Sequence, residues 1–405
     1  MTVPEHIRRH WPDTLISLAI SAGHGGLSTL LPPMFRDEGK GAVSIGALVA
    51  VSAVMALAMR VPGGLLYKPG RVRWIMVGSL VLTSLAVACY PNTTDNGLLT
   101  LIGAVDGIGF SAATTVNMAA MIESISPTES RPGAISFFVS GMSFGFAFSG
   151  FVWSAVADAF GFPAAFYGII AAYGIAALLA LFSRHVEAAA PRAIAAVDRP
   201  PVWRRAQTFG ALLLDPVVTF VIMGAFFLNV FLSQFQTFLP LTLLPLGISL
   251  TEVGGLRSAW SMTNALGRIF GGPVLGVLNY RRTQNLCLLL QATLLALFAL
   301  PLPLAVYGVI TVGAASGRAV CYVANAMALS EVDPNRIGRG VASGIMNAAG
   351  DLGNILGPVS GGLIAAVAGY QKFWLISPPL YLAIYFGVLL VVRRRASVPA
   401  PVAAA

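Results

Sequence analysis

The sequence predicts an all-α integral membrane protein, with twelve transmembrane helices in two pseudo-symmetric halves of six. Three observations predict it. Of 405 residues, 57% are hydrophobic and only 10% charged, against roughly 25% charged in soluble domains. With a mean hydropathy of +0.80, too few charges exist to cover a water-facing surface. The apolar residues fall into twelve runs long enough to cross a bilayer, which takes about 20 residues each. Finally, lysine and arginine alternate between the connections: 18 of the 25 fall on the side that holds the N-terminus and three on the other.

The first run, 13–34, follows a short basic head, Arg8 and Arg9, and is long enough to span. It reads as a first transmembrane helix rather than a cleaved signal peptide. Runs 43–66 and 74–91 flank the basic turn "RVPGGLLYKPGRVR" at 60–73. Run 97–122 carries Asp106 in its interior, and 134–157 and 163–183 complete a first half, residues 1–183. Residues 184–210 are charged and rich in Ala and Pro, as a cytoplasmic linker would be. A second half, 211–405, follows with runs 211–240, 252–278, 284–302, 304–330, 341–368 and 373–392.

The basic bias places both termini in the cytoplasm. The net charge of +9 is therefore topological and does not point to nucleic acid. Cys89, Cys287 and Cys321 lie inside apolar runs, with no close spacing for a disulfide framework or a metal site.

A single offset recurs along the chain. Arg60, Gly63, Gly64 and Gly46 repeat 208 residues later as Arg268, Gly271, Gly272 and Gly254, and Asn117 and Glu123 repeat as Asn325 and Glu331. A duplicated six-helix unit is an architecture of carriers whose halves rock about a central site.

These residues resemble the major facilitator superfamily over essentially the whole chain. The family signature after the second helix is matched by Gly63, Lys68, Gly70 and Arg71, with Tyr67 in the slot usually held by an aspartate. The resemblance implies the major facilitator fold. It also implies that the usual acidic latch is missing from the first half. The Gly-Pro motif expected of drug/proton antiporters in helix five appears instead in helix eleven, as "LGPVSGG".

Charged side chains inside a span cost about 2.5–3.5 kcal/mol each on insertion scales, so each needs a reason. His24, Asp106 and Asp351 are candidate proton-coupling residues: a buried imidazole or carboxylate can load and release a proton. Arg318 is either a clamp for an anionic solute or the partner of Asp351. Asn229, Gln234, Gln236 and Asn347 are candidate pocket amides, with interhelical hydrogen bonding the alternative for each. Arg60, Glu123, Arg131, Arg268, Glu331 and Arg339, with Gly63, Gly64, Lys68, Gly70 and Arg71, form a candidate cytoplasmic gate of charge pairs between the halves. The glycine pairs Gly141/Gly145 and Gly353/Gly357 allow helices to approach closely.

The stretch "GMSFG" at 141–145, followed by Asp158 and His185, mimics a hydrolase nucleophile motif. Ser143 falls in mid-helix rather than on the strand-to-helix turn that motif needs, so no enzyme is expected. No phosphate-binding Gly-x-x-x-x-Gly-Lys loop occurs, which leaves a proton gradient as the energy source and no cofactor.

The expectation is a monomeric secondary active transporter of a bacterial cytoplasmic (inner) membrane. It would move a small organic solute by alternating access, with proton-coupled export (antiport, efflux) favoured by the resemblance. Proton symport of an organic anion is the alternative, and a non-transporting membrane receptor a more distant one.

Overall fold

The computed structural model describes residues 5–66, 71–125, 131–183, 216–270, 279–330 and 339–396. Twelve long helices occupy the described residues, and no strand occurs among them. The first six are α1 (Glu5–Asp37), α2 (Ala42–Leu66), α3 (Val72–Cys89), α4 (Asn96–Ser124), α5 (Arg131–Phe160) and α6 (Phe162–Phe182). The last six are α7 (Pro216–Leu243), α8 (Leu250–Phe270), α9 (Tyr280–Ala296), α10 (Leu304–Ser330), α11 (Arg339–Ala368) and α12 (Tyr370–Ala396). Ten of these are both long and apolar enough to cross a membrane. The other two are α8, interrupted by Glu252, Arg257 and Arg268, and α9, with 17 residues. The expected linker, 184–210, lies outside the described residues.

The helices are held by their environment more than by sequence propensity. Proline sits inside several of them, as at Pro32 and Pro33 of α1 and Pro378 and Pro379 of α12, because neighbouring helices can satisfy the freed backbone groups. Large apolar side chains face outward, among them Leu85 on α3, Tyr167 on α6 and Val309 on α10. An outer surface of this kind suits lipid, not water. The protein is a multi-pass integral membrane protein.

The duplication is visible in the packing. α1 packs on α5 as α7 packs on α11, α2 on α4 as α8 on α10, and α3 on α4 and α6 as α9 on α10 and α12. The turns repeat as well. Four glycines have left-handed backbone, Gly39, Gly161, Gly247 and Gly369; 39 and 247 are 208 apart, and so are 161 and 369. Each ends a helix in a tight turn that a side chain would strain.

The two sets of six helices meet along α2 with α11 and α5 with α8, with a smaller contact of α1 with α7. Both main crossings use glycine at equivalent positions. A Cβ on Gly46 of α2 would lie 2.2 Å from the Pro358 carbonyl oxygen of α11, and one on Gly254 of α8 would lie 2.0 Å from that of Gly150 on α5. Positions 46 and 254, like 150 and 358, are again 208 apart. Within each half, Gly145 meets the Leu18 carbonyl of α1 and Gly353 that of Phe226 on α7, as the small-residue spacing predicts.

These crossings gather at the end of the bundle where α1 finishes and α2 starts, here the far end. Further ties close it. Arg36 donates to the Leu241 carbonyl at 3.1 Å, and Ser258 to the Ala147 carbonyl. The α8 N-terminus carries a capping box: Ser249 N–H donates to Glu252 at 2.8 Å and Glu252 N–H to Ser249 Oγ at 3.2 Å. Asp158, at the tip of α5, reaches across and accepts from Thr251 N–H at 2.6 Å and from its hydroxyl at 2.5 Å. At the opposite, near end, α4 and α5 make no comparable contact with α10 and α11 among the described residues. Among the described residues the space between the halves is therefore the less closed toward the end where α1 begins.

Candidate functional site

That space is a cavity of about 390 Å³, lined by both halves. Its walls follow helix periodicity. His24, Leu27, Ser28 and Leu31 come from one face of α1; Ser52, Ala56 and Arg60 from one of α2; Trp260, Ser261 and Asn264 from one of α8. Val139, Met142, Ser143 and Phe146 of α5 add an apolar wall. Ser143 is mid-helix and donates back to the Val139 carbonyl at 3.2 Å, and is not on the strand-to-helix turn a hydrolase nucleophile needs.

Of the expected proton-coupling residues, His24, Asp106 and Asp351 all line this cavity. His24 stacks on Phe110, with ring centroids 3.6 Å apart and planes 9° apart, and meets the Phe146 edge at 6.4 Å. Asp106 is 1% exposed. Its Oδ2 accepts from Ser52 at 2.9 Å, while its Oδ1 has no hydrogen-bond partner and no cation pairs with it among the described residues.

Asp351 behaves differently, and one sequence expectation needs correction. Its carboxylate belongs to Arg60, not Arg318: Arg60 Nη2 donates to Oδ1 at 2.8 Å and Nε lies 2.5 Å from Oδ2. The pair spans α2 and α11, so it ties one half to the other. Arg318 is 5% exposed and lines the cavity. It donates to the Leu228 carbonyl and to Asn229 Oδ1 at 3.1 Å.

The expected pocket amides separate. Gln236 lines the cavity. Asn229 stands behind Arg318 and also donates to the Ala225 carbonyl at 2.8 Å, so it orients the guanidinium. Gln234 is 1% exposed and lies between helices, donating to the Gly357 carbonyl at 3.4 Å and accepting from Ser377 at 2.9 Å. Asn347 is an exposed residue of α11 outside the lining. For Gln234 the interhelical alternative holds, because a helix sequence shows the residue type and not the face it occupies.

The expected cytoplasmic gate is only partly within the described residues. Gly63 and Gly64 form the last turn of α2, Arg71 precedes α3, and Glu123 is a half-buried residue near the end of α4. Lys68, Gly70 and Glu331 lie outside the described residues, as does Tyr67; for Arg131, Arg268 and Arg339 only the helical backbone is described. Arg60 takes part in a charge pair between halves, though with Asp351 rather than Glu123.

Sequence reasoning missed Ser28, Ser52, Phe110, Trp260, Ser261 and Asn264 of the walls, while Asn354, read beside Asn347 as a polar residue of a cavity helix, does line them. A usable signal exists for one: Ser28 follows His24 by four residues, on the helix face His24 already marks, whereas Asn264 follows Trp260 by four on a face that nothing had marked. It also passed over Arg257, which is 5% exposed. Among the described residues no His, Cys, Asp and Glu group gathers to hold a metal ion.

A cavity of mixed apolar and polar lining between two duplicated helical halves is the arrangement of a membrane transporter for small molecules. The family model of the Major Facilitator Superfamily matches residues 14–342, and the chain belongs to that superfamily. No curated protein matches it in sequence. Among solved structures it is similar to the nucleoside transporter NupG, at 16% identity and a TM-score of 0.75, covering 96% of this chain and 99% of that one. It is also similar to a bacterial homologue of the human lysosomal transporter Spinster in an inward-facing, occupied conformation. There the identity is 16% and the TM-score 0.78, covering 99% and 100%. At such identities the likeness is one of fold.

Proposed function

We propose that this transporter is proton-coupled and moves a small organic solute by alternating access of the central cavity, with Asp106 carrying the proton. One observation carries the reading. Asp106 is a cavity-wall carboxylate, 1% exposed, whose described neighbours include a hydroxyl but no cation. A buried charge held by one hydroxyl is expensive, so the site favours taking up a proton when the cavity loses water.

The wall charges suggest the sense of coupling. Arg60 and Asp351 offset one another, and Asp106 and Arg318 stand in the same wall. A proton on Asp106 removes a negative charge from a wall that keeps Arg318. A proton and an anionic solute therefore bind better together than apart, which is symport. Export of an amphipathic solute in exchange for protons is the second reading, and the aromatic wall of Phe110, Phe146 and Trp260 favours it. The lysine and arginine bias makes the near end cytoplasmic, so the cavity here would be inward-facing in a bacterial cytoplasmic membrane.

Flux of labelled candidate solutes into proteoliposomes under an imposed pH gradient tests the reading. Asp106→Asn should abolish uphill transport while leaving solute exchange. Full retention of uphill transport would remove Asp106 from the coupling.

A further inference from the structure

Arg257 of α8 is a buried cation with no anion. All its polar partners are neutral oxygens: the Ser28 carbonyl at 2.7 Å, the Ser28 hydroxyl at 2.8 Å and the Gln236 carbonyl at 3.1 Å. The first two lie on α1, in the other half. Among the described residues no carboxylate reaches it. Burying an arginine without a counter-charge is unfavourable unless something else uses the charge.

The arrangement of partners shows what that use is. Nη1 and Nη2 each donate to one oxygen of Ser28, so a single residue presents two oxygens to the two arms of the guanidinium. A carboxylate or a phosphate engages arginine in the same two-pronged way. Ser28 thus occupies the fork as an internal stand-in for an oxyanion. Position matters equally. Ser28, Gln236, Trp260 and Ser261 line both the central cavity and the small void around Arg257, which places the guanidinium just behind the cavity floor, on the closed side. In the alternating-access reading, opening the far end would move α1 away from α8. The fork would then lose both Ser28 oxygens and stand at the mouth of the newly opened path, with donors to fill.

We propose that Arg257 is a substrate-binding residue of the outward-open state, taking the carboxylate or phosphate group of an organic anion in place of Ser28. The exchange links binding to the gate. The far end cannot reseal onto Ser28 until the anion has moved deeper, toward Arg318. The inference rests on the alternating-access reading above and adds a capture point and a ligand class to it.

Spin labels report the far-end gap. Gly41→Cys at the start of α2 and Leu246→Cys after α7, in a background lacking Cys89, Cys287 and Cys321, place one label on each half. Distances are measured in nanodiscs at acidic and neutral pH, without ligand and with benzoate, phenyl phosphate, inorganic phosphate or the neutral benzamide. Benzoate and phenyl phosphate separate the two oxyanion chemistries, and inorganic phosphate tests a free ion.

The expected result is a saturable shift to longer distances with at least one of the three anions and none with benzamide. In Arg257→Gln the anion response disappears. In Arg257→Lys, which keeps the charge but not the fork, half-saturation rises roughly tenfold, the loss of one charge-assisted hydrogen bond of about 1.4 kcal/mol. Lys also serves as the folding control for Gln, checked by thermal melting. A far end that widens with pH but ignores all three anions overturns the Arg257 site and leaves alternating access standing. So does one that widens with anions equally in Arg257→Gln. A gap that stays fixed in every condition overturns both.

Discussion

Adding one methyl group at Gly254 should push the protein toward the state open at the far end. A Cβ built there lies 2.0 Å from the Gly150 carbonyl oxygen and 2.4 Å from Ser154 Oγ. An ordinary carbon–oxygen contact lies at roughly 3.3 Å, so α5 and α8 must separate by about 1 Å to admit it. The Gly150 obstacle is backbone and cannot swing aside. Overpacking of this kind costs about 1–3 kcal/mol. Because the two helices belong to opposite halves, the cost falls on the closed far end and not on either half. At 1.4 kcal/mol per factor of ten, Gly254→Ala should raise the far-end-open population roughly 5- to 150-fold. Gly46→Ala, at the equivalent crossing, should act alike, with its Cβ 2.2 Å from the Pro358 carbonyl. Gly174→Ala on α6 is the control, since nothing lies within 4 Å of its Cβ. The assay is the rate at which a membrane-impermeant maleimide, added outside cells, modifies Leu31→Cys in a cysteine-free background. Leu31 lines the cavity and is 8% exposed, so labelling from that side needs the gate to open. Equal rates in parent, Gly254→Ala and Gly46→Ala would refute the claim that these crossings set the closure.

Three further outcomes follow from the same geometry. Breaking the Arg60–Asp351 pair, a contact of the arrangement described here, with Arg60→Gln should also favour the far-end-open state. Arg60 is half-exposed, so the effect is about 1 kcal/mol or less, near fivefold in population, and a double-mutant cycle with Asp351→Asn should show the two effects coupled. Asp158→Ala removes the cap that α5 places on α8 and should speed Leu31→Cys labelling by about fivefold, from roughly 1 kcal/mol of lost capping. Gln234→Ala should lower thermal stability by about 1–3 kcal/mol, because Ser377 and the Gly357 carbonyl lose a buried partner, while leaving solute KM unchanged. Gln236→Ala should do the reverse.

The fold was largely legible because bilayer solvent writes itself into composition. Run lengths, basic alternation and the 208-residue offset each depend on residue type and position alone. The offset reached further than expected, down to the left-handed turns at 39 and 247 and the glycine crossings at 46 and 254. Site legibility stopped at helix rotation. Gln234 and Gln236 are two residues apart on α7, so about 200° apart around its axis; one faces the helix interfaces and the other the cavity. Composition cannot decide which. Arg318 and Asp351 looked like partners because both are buried charges on neighbouring helices of one half. Arg60, in the sequence a residue at a helix end, reaches across the cavity because α2 crosses α11.

Tyr67 carries the remaining lesson. The family resemblance implies an aspartate there as an acidic latch, and this sequence has tyrosine instead. The structure has an acidic cap at the other end: Asp158, from the tip of α5, on the N-terminus of α8. The cap sets a carboxylate against the unpaired amides and positive dipole end of a helix in the opposite half. Placing the cap at the far end stabilises the arrangement open at the near end. Arg36, Arg257 and Ser258 add their bonds to the same closure. On the proposals above, a carrier built this way would rest open at the near end and need a reason to turn. An anion replacing Ser28 on Arg257, with a proton taken up by Asp106, would supply that reason by exchanging an internal contact for an external one.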